Sequence, residues 1–270
     1  MFQRVPCQRQ GCPFLKHSRQ NHNFCCHACQ TSQTHGPLCE NTLNHIANAD
    51  FDLQIQNSFL KIPQLELEWR NRGPAEKLNI LCLHGYTGFG QNMRRCIWKY
   101  EQKCSHIADF YYPTAPNPVL QNVRSIRNIP LSPQSRSWYP FENSIQYLNH
   151  FVTTEVKKPI DVIIGFSQGG HCAIQLCNVS HSYPLLSKLR GIVIISSNFS
   201  TRLNPQMKYL SSVITMGERD QICPPKMTKL LSNEFINPVV VVHNGGHECH
   251  ASGIQPVYNL LLNLYDSERR

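Results

Sequence analysis

The sequence predicts an α/β domain, a mainly parallel sheet with helices on both faces, preceded by a small Cys/His-rich module. Two observations carry this. From residue 77 onward, short β-branched or apolar runs alternate with longer segments whose apolar residues recur at helical spacing. Before that point, six of the thirteen cysteines fall within the first 39 residues, a sharp shift in composition. Strands that are apolar throughout are buried on both faces, and they occur in parallel sheets covered by helices.

Taken in order, residues 1–45 form the Cys/His module. Residues 46–75 mix alternating apolar positions with Pro63 and the Arg72-Gly73-Pro74 break, and read as a linker or an extra strand. The α/β domain spans 76–270. Its strands are expected at "LNILCLHG" (78–85), "ADFYYP" (108–113), "PIDVIIGFS" (159–167), "GIVIISS" (191–197), "SSVITMG" (211–217) and "PVVVVHN" (238–244). The helices are expected between them, at 90–104, 142–157, 168–180, 225–235 and 255–265.

Composition narrows the class. With 41% hydrophobic and 16% charged residues the chain is globular, and 270 residues can bury one large core with an appendage. No apolar run approaches the ~20 residues of a membrane span. The N-terminal "MFQRVPCQRQGCPFLKH" has no apolar centre, which predicts no secretory signal, a cytoplasmic or nuclear location and reduced thiols. The net charge of +9 is dispersed, its densest clusters being Arg70/Arg72, Arg94-Arg95 and Arg269-Arg270. That reads as solvated surface rather than a nucleic-acid stripe.

The chemistry centres on "DVIIGFSQGGHCAI" (161–174), where a buried strand breaks into Gly165-Phe166-Ser167-Gln168-Gly169 and resumes as a helix. A sharp strand–turn–helix with glycines two residues either side of Ser167 is the setting of an activated serine. The five-residue motif alone is weak, arising in about one random chain in ten of this length. Its companions strengthen it. A serine nucleophile needs a base to take its proton and an acid to orient that base. Asp220 follows the strand ending at Met216, and His247 lies in the Gly-rich "HNGGHECH" after the strand ending near Val242. The order Ser, Asp, His on loops after successive strands is that of α/β-hydrolases. His243 and His250 are the competing bases, and Glu218 competes with Asp220. After the first strand, "LCLHGYTGFG" can offer the Tyr86 N–H beside that of Gln168 as an oxyanion hole. His84 reads as a loop-shaping residue, and Cys172 and Cys177 as core.

The segments "LCLHGYTG", "PTAPNPV", "SRSWY", "GFSQGG", "GERDQICPP" and "HNGGHECH" resemble, in order and spacing, those of the FSH family of serine hydrolases. The resemblance covers roughly residues 76–265. It implies an α/β-hydrolase fold without a large cap, a Ser167–Asp220–His247 triad, and hydrolysis of a small-molecule carboxylic ester or thioester with no cofactor. It also makes Trp138 and Tyr139 walls of an acyl pocket. "GFSQGG" and the "TAP" segment are similar to the acyl-protein thioesterase and carboxylesterase group as well. The sequence departs from the family where Pro is usual three residues after the catalytic His, since His250 stands there. The competing reading from another class is a non-catalytic scaffold for the N-terminal module.

In that module, Cys26, Cys29, His35 and Cys39 read C-x2-C-x5-H-x3-C, one residue away from a zinc-knuckle spacing. Thiolates and imidazole in close sequence suit a tetrahedral structural zinc. Cys7 and Cys12 with Cys26 and Cys29 form an equally readable set. A segment this short and poor in large apolar residues needs such a staple to fold. Single-stranded nucleic acid or a protein is its expected partner.

Overall fold

The computed structural model describes residues 76–119, 133–179, 183, 186–197 and 203–267. The expected Cys/His module, with Cys7, Cys12, Cys26, Cys29, His35 and Cys39, and the 46–75 segment lie outside the described residues.

The described elements are β1 (Leu78–Leu83), α1 (Gly90–Cys104), β2 (Ala108–Tyr111), β3 (Asn117–Pro118), β4 (Arg136–Ser137), α2 (Phe141–Phe151), β5 (Val162–Phe166), α3 (Gln168–Val179), β6 (Gly191–Ile195), β7 (Ser211–Gly217), α4 (Pro225–Ser232), β8 (Val239–His243) and α5 (Ile254–Ser267). A π-helical turn, Val152–Val156, extends α2. Every expected strand and helix after residue 77 is present. The β3–β4 pair is additional, a two-residue antiparallel ladder too short to leave a period in the sequence.

Six strands form one sheet in the order β2-β1-β5-β6-β7-β8, and every neighbouring pair is parallel. Side chains alternate across it, so each strand feeds two cores. On one face Ile80, Cys82, Val162, Ile164, Val193 and Val213 meet Met93, Ile97 and Tyr100 of α1 and Val257 and Leu261 of α5. The residues between them, among them Leu81, Leu83, Ile163, Ile192, Ile194 and Ile214, are equally buried, and α3 and α4 pack on β1, β5, β6 and β7. Each such Ile or Leu contributes about 2–3 kcal/mol on burial, which is why these strands have no polar alternation. Cys172 and Cys177 of α3 are fully buried.

At the N-terminal end of the strands, fully buried Asp161 accepts the Asn79 N–H at 2.7 Å and pairs with Arg190 at 3.2 Å. A carboxylate without exposure is tolerated because it is paired and hydrogen-bonded. The opposite end positions the site. The chain moves outward one way from β1 to β2 and the other way from β1 to β5, so the loops after β1 and β5 lead to helices on opposite faces of the sheet.

Candidate active site

Ser167 occupies the turn between β5 and α3 with φ of 53°, in the left-handed region that costs a side-chain-bearing residue about 1 kcal/mol or more. The turn is held in place. The Ser167 N–H donates to Ile195 O at 2.9 Å, and its carbonyl accepts the Ser197 hydroxyl at 2.7 Å. Both flanking glycines are required by close approach. A Cβ on Gly165 would lie 2.5 Å from the Gly169 carbonyl oxygen, and one on Gly169 would collide with the backbone of Leu83.

Two segments brace the elbow. The Gln168 side chain accepts the Trp138 N–H at 3.0 Å and donates to Ser137 Oγ at 3.0 Å. Trp138, expected as a pocket wall, has no exposed surface; its indole N–H donates to His84 O at 2.8 Å, so it supports the loop from beneath. Tyr139 is half-buried, with its ring centroid 5.3 Å from that of His171 and its hydroxyl without a hydrogen-bond partner. Asn117 ties β3 to this region by donating to Ser137 O, Pro140 O and Ser144 Oγ, each at 3.2 Å. The sequence carries no local signal for the roles of Asn117, Ser137 or the Gln168 side chain.

His84 shapes the loop after β1. Its Nδ1–H donates to Gly85 O at 2.7 Å while Nε2 accepts the Ala115 N–H at 2.9 Å, so the neutral tautomer satisfies both nitrogens. Burial lowers its pKa to about 4. The unfolded imidazole titrates near 6.5, so between these values only the unfolded chain takes up the proton. Stability attributable to neutral His84 is therefore intact above 6.5 and falls as pH drops toward 4. Urea unfolding should give about 2 kcal/mol less stability at pH 5 than at pH 7 from this group. His84→Gln, which cannot titrate, should lessen that fall by the same amount; an identical pH dependence in the variant would refute the assignment.

The same loop carries Tyr86. The Cβ that Gly85 lacks would stand 3.3 Å from Ser167 Cβ, which puts this loop against the elbow. Gln168 is the first residue of α3, where the helix itself supplies no acceptor for the N–H.

From the other side, Asp220 is 3% exposed in the turn after β7. Its Oδ1 accepts the N–H groups of Ile222 at 2.8 Å and Cys223 at 2.9 Å. Its Oδ2 lies 2.8 Å from His247 Nδ1. The His247 ring in turn lies 4.9 Å, centroid to centroid, from Phe166, the residue preceding Ser167. The loop holding His247 is tied to the turn holding Asp220 by Glu218 N–H to His243 O (2.8 Å) and Arg219 N–H to Gly245 O (3.0 Å). Of the three histidines considered as base, His247 is the one hydrogen-bonded to Asp220. His243 and His250 instead stack on each other at 4.4 Å. The thiols of Cys96 and Cys249 hydrogen-bond to each other, which lowers Cys96 to about 7 and raises Cys249.

Comparison with known proteins identifies the family. Residues 74–249, more than half of the chain, match the family model "Serine hydrolase (FSH1)". The chain is 26% identical over 205 residues to Esterase CG5412 of Drosophila melanogaster, covering 67% of this chain and 71% of that one. It is 23% identical over 209 residues to Esterase OVCA2 of Mus musculus, covering 67% and 92%. In fold it is similar to Arabidopsis thaliana SOBER1, with TM-score 0.53 and 16% identity over 70% of this chain and 99% of that one. It is also similar to Zea mays acyl-protein thioesterase 2, with TM-score 0.50 and 19% identity over 73% and 96%. The chain therefore belongs to the FSH1 family of serine hydrolases and is an enzyme of the ester-hydrolase class.

Proposed function

We propose that this enzyme cleaves carboxylic esters or thioesters through an acyl-enzyme on Ser167, with His247 as base and Asp220 as orienting acid. The observation that carries the reading is the part-buried Asp220–His247 bond of 2.8 Å on loops that reach the strained turn of Ser167. Asp220, with Oδ1 taken by two backbone N–H groups, offers Oδ2 to Nδ1–H and leaves Nε2 as the basic nitrogen.

In the first half-reaction Ser167 Oγ bonds to the acyl carbon as its proton passes to His247 Nε2, and the carbonyl π pair moves onto oxygen. The N–H groups of Tyr86 and Gln168 face that oxyanion, a contribution of about 3 kcal/mol per donor. The tetrahedral centre collapses, the bond to the leaving oxygen or sulfur breaks, and His247 returns the proton to the leaving group. Water then attacks the acyl-enzyme with the same base and releases the acid and Ser167. The imidazolium formed in each step is stabilised by Asp220. Tyr139, beside this centre, is the proposed contact for the acyl group. Thioesters are the second reading, supported by the structural likeness to Zea mays acyl-protein thioesterase 2.

The test is labelling of the full chain with a fluorophosphonate, followed by peptide mapping. One adduct per chain, on the peptide carrying Ser167, is expected. No adduct on folded protein would overturn the reading and leave a non-catalytic scaffold in its place.

A further inference from the structure

We propose that His243, Glu248 and His250 form a binding site for a divalent transition-metal ion such as Zn²⁺, on the loop that carries His247. Each of the three offers one ligand atom, and these atoms lie within 4.8 Å of one another. Two imidazoles and a carboxylate are a nitrogen–oxygen set that suits zinc, with a fourth position left for water.

Three observations build the site. His243, at the end of β8, is 5% exposed, and its Nε2 has no hydrogen-bond partner, while Nδ1 takes only a long bond of 3.2 Å from the Gly245 N–H. A buried imidazole left in this state gains from a partner. The His250 ring lies parallel to that of His243, 5° apart at 4.4 Å, which brings nitrogens of both rings to one place. Its Nδ1 accepts the Ser252 N–H at 3.2 Å, with Ser252 Oγ 2.9 Å away; binding a metal through Nε2 requires the other tautomer, whose Nδ1–H donates to that hydroxyl and orients the ring. Finally, Gly245 marks where the carboxylate and the imidazole come together. A Cβ there would meet Glu248 Oε1 and stand 2.9 Å from His243 Nδ1, so the carboxylate and the imidazole lie together over this glycine. Glu248 is exposed and can turn to close the remaining distance.

The ligands flank His247 at four residues before, one after and three after. A bound ion would clamp the short loop on which His247 meets Asp220, and would place two positive charges one residue from the ring that must itself become cationic during acyl transfer. Zn²⁺ is therefore a reversible inhibitor of this enzyme. That consequence rests on His247 being the base; the site itself does not.

The experiment titrates Zn²⁺ into metal-stripped full-length protein by calorimetry, wild type against His250→Asn. Asn at 250 retains a side-chain acceptor for the Ser252 N–H, which now caps the turn at 3.2 Å. Glu248→Gln serves as a second variant that leaves this cap untouched. Ligands elsewhere in the chain, the Cys96–Cys249 pair and the N-terminal cysteines among them, are common to all forms, so the difference isolates the site. Wild type should bind one more Zn²⁺ per chain than either variant. Micromolar Zn²⁺ should slow p-nitrophenyl acetate turnover at least fivefold in wild type and much less in the variants. Equal stoichiometry and affinity in all three would overturn the site. Loss of one equivalent in the variants with inhibition unchanged would uphold the site and overturn its control of His247. Failure of Ser167 to label with fluorophosphonate would count against the triad alone, since the binding difference does not depend on turnover.

Discussion

Ser167→Ala is expected to lower kcat/KM for a p-nitrophenyl ester by about 10⁶-fold while leaving the fold intact. The loss is large because the alanine has no oxygen to carry the acyl group, so the remaining groups can only polarise the substrate for direct attack by water. The fold persists for a specific reason. Alanine keeps the Cβ, so the φ of 53° is no more crowded than with serine, and the main-chain bonds to Ile195 and Ser197 remain. Circular dichroism and a melting temperature within a few degrees of wild type would establish that control. Retention of more than a hundredth of the turnover by the folded variant would exclude Ser167 as nucleophile.

Asp220→Asn tests the other end of the relay and should lower kcat by about 10⁴-fold. Oδ1 of Asp220 accepts two backbone N–H groups, from Ile222 and Cys223. An asparagine must turn its carbonyl oxygen to those donors, which presents its NH₂ to His247 Nδ1. The imidazole then accepts at Nδ1 and carries its proton on Nε2, the tautomer that cannot take a proton from Ser167. Shape and packing are unchanged, so stability should fall little. The diagnostic reading is recovery of rate toward high pH, where hydroxide takes the Ser167 proton in place of the imidazole held in the wrong tautomer. Near-normal turnover at pH 7 would mean that Asp220 does not orient the base.

Gly169 shows how a local motif and a distant contact combine. In the sequence, the glycines around Ser167 could be explained by the turn alone. In the folded chain Gly169 is where the start of α3 rides over the end of β1, so close to the Leu83 carbonyl that no side chain fits. The partner lies more than eighty residues earlier, and nothing near Gly169 announces it. Trp138 shows the converse. The family resemblance made it a pocket wall, yet its indole N–H finds an acceptor beneath the loop, at His84. A large ring with one polar atom can be buried wherever that atom is matched.

The sequence by itself determined the order and extent of the strands and helices after residue 77, because parallel strands buried on both faces write themselves as unbroken apolar runs, and helices as a 3.6-residue period. It also placed Ser167 at an elbow, since strand, glycine, serine and helix are consecutive in the chain. Tertiary structure decided which imidazole Asp220 reaches among His243, His247 and His250. It also set the clamp of Gln168 on Trp138 and Ser137, and the neutral tautomer of His84. These are hydrogen bonds between residues that meet only when the C-terminal ends of β1, β5, β7 and β8 are brought side by side. Short-range periodicity records which face of an element is buried; the partner of a polar atom depends on distance and direction across the sheet, and those exist only in the folded chain.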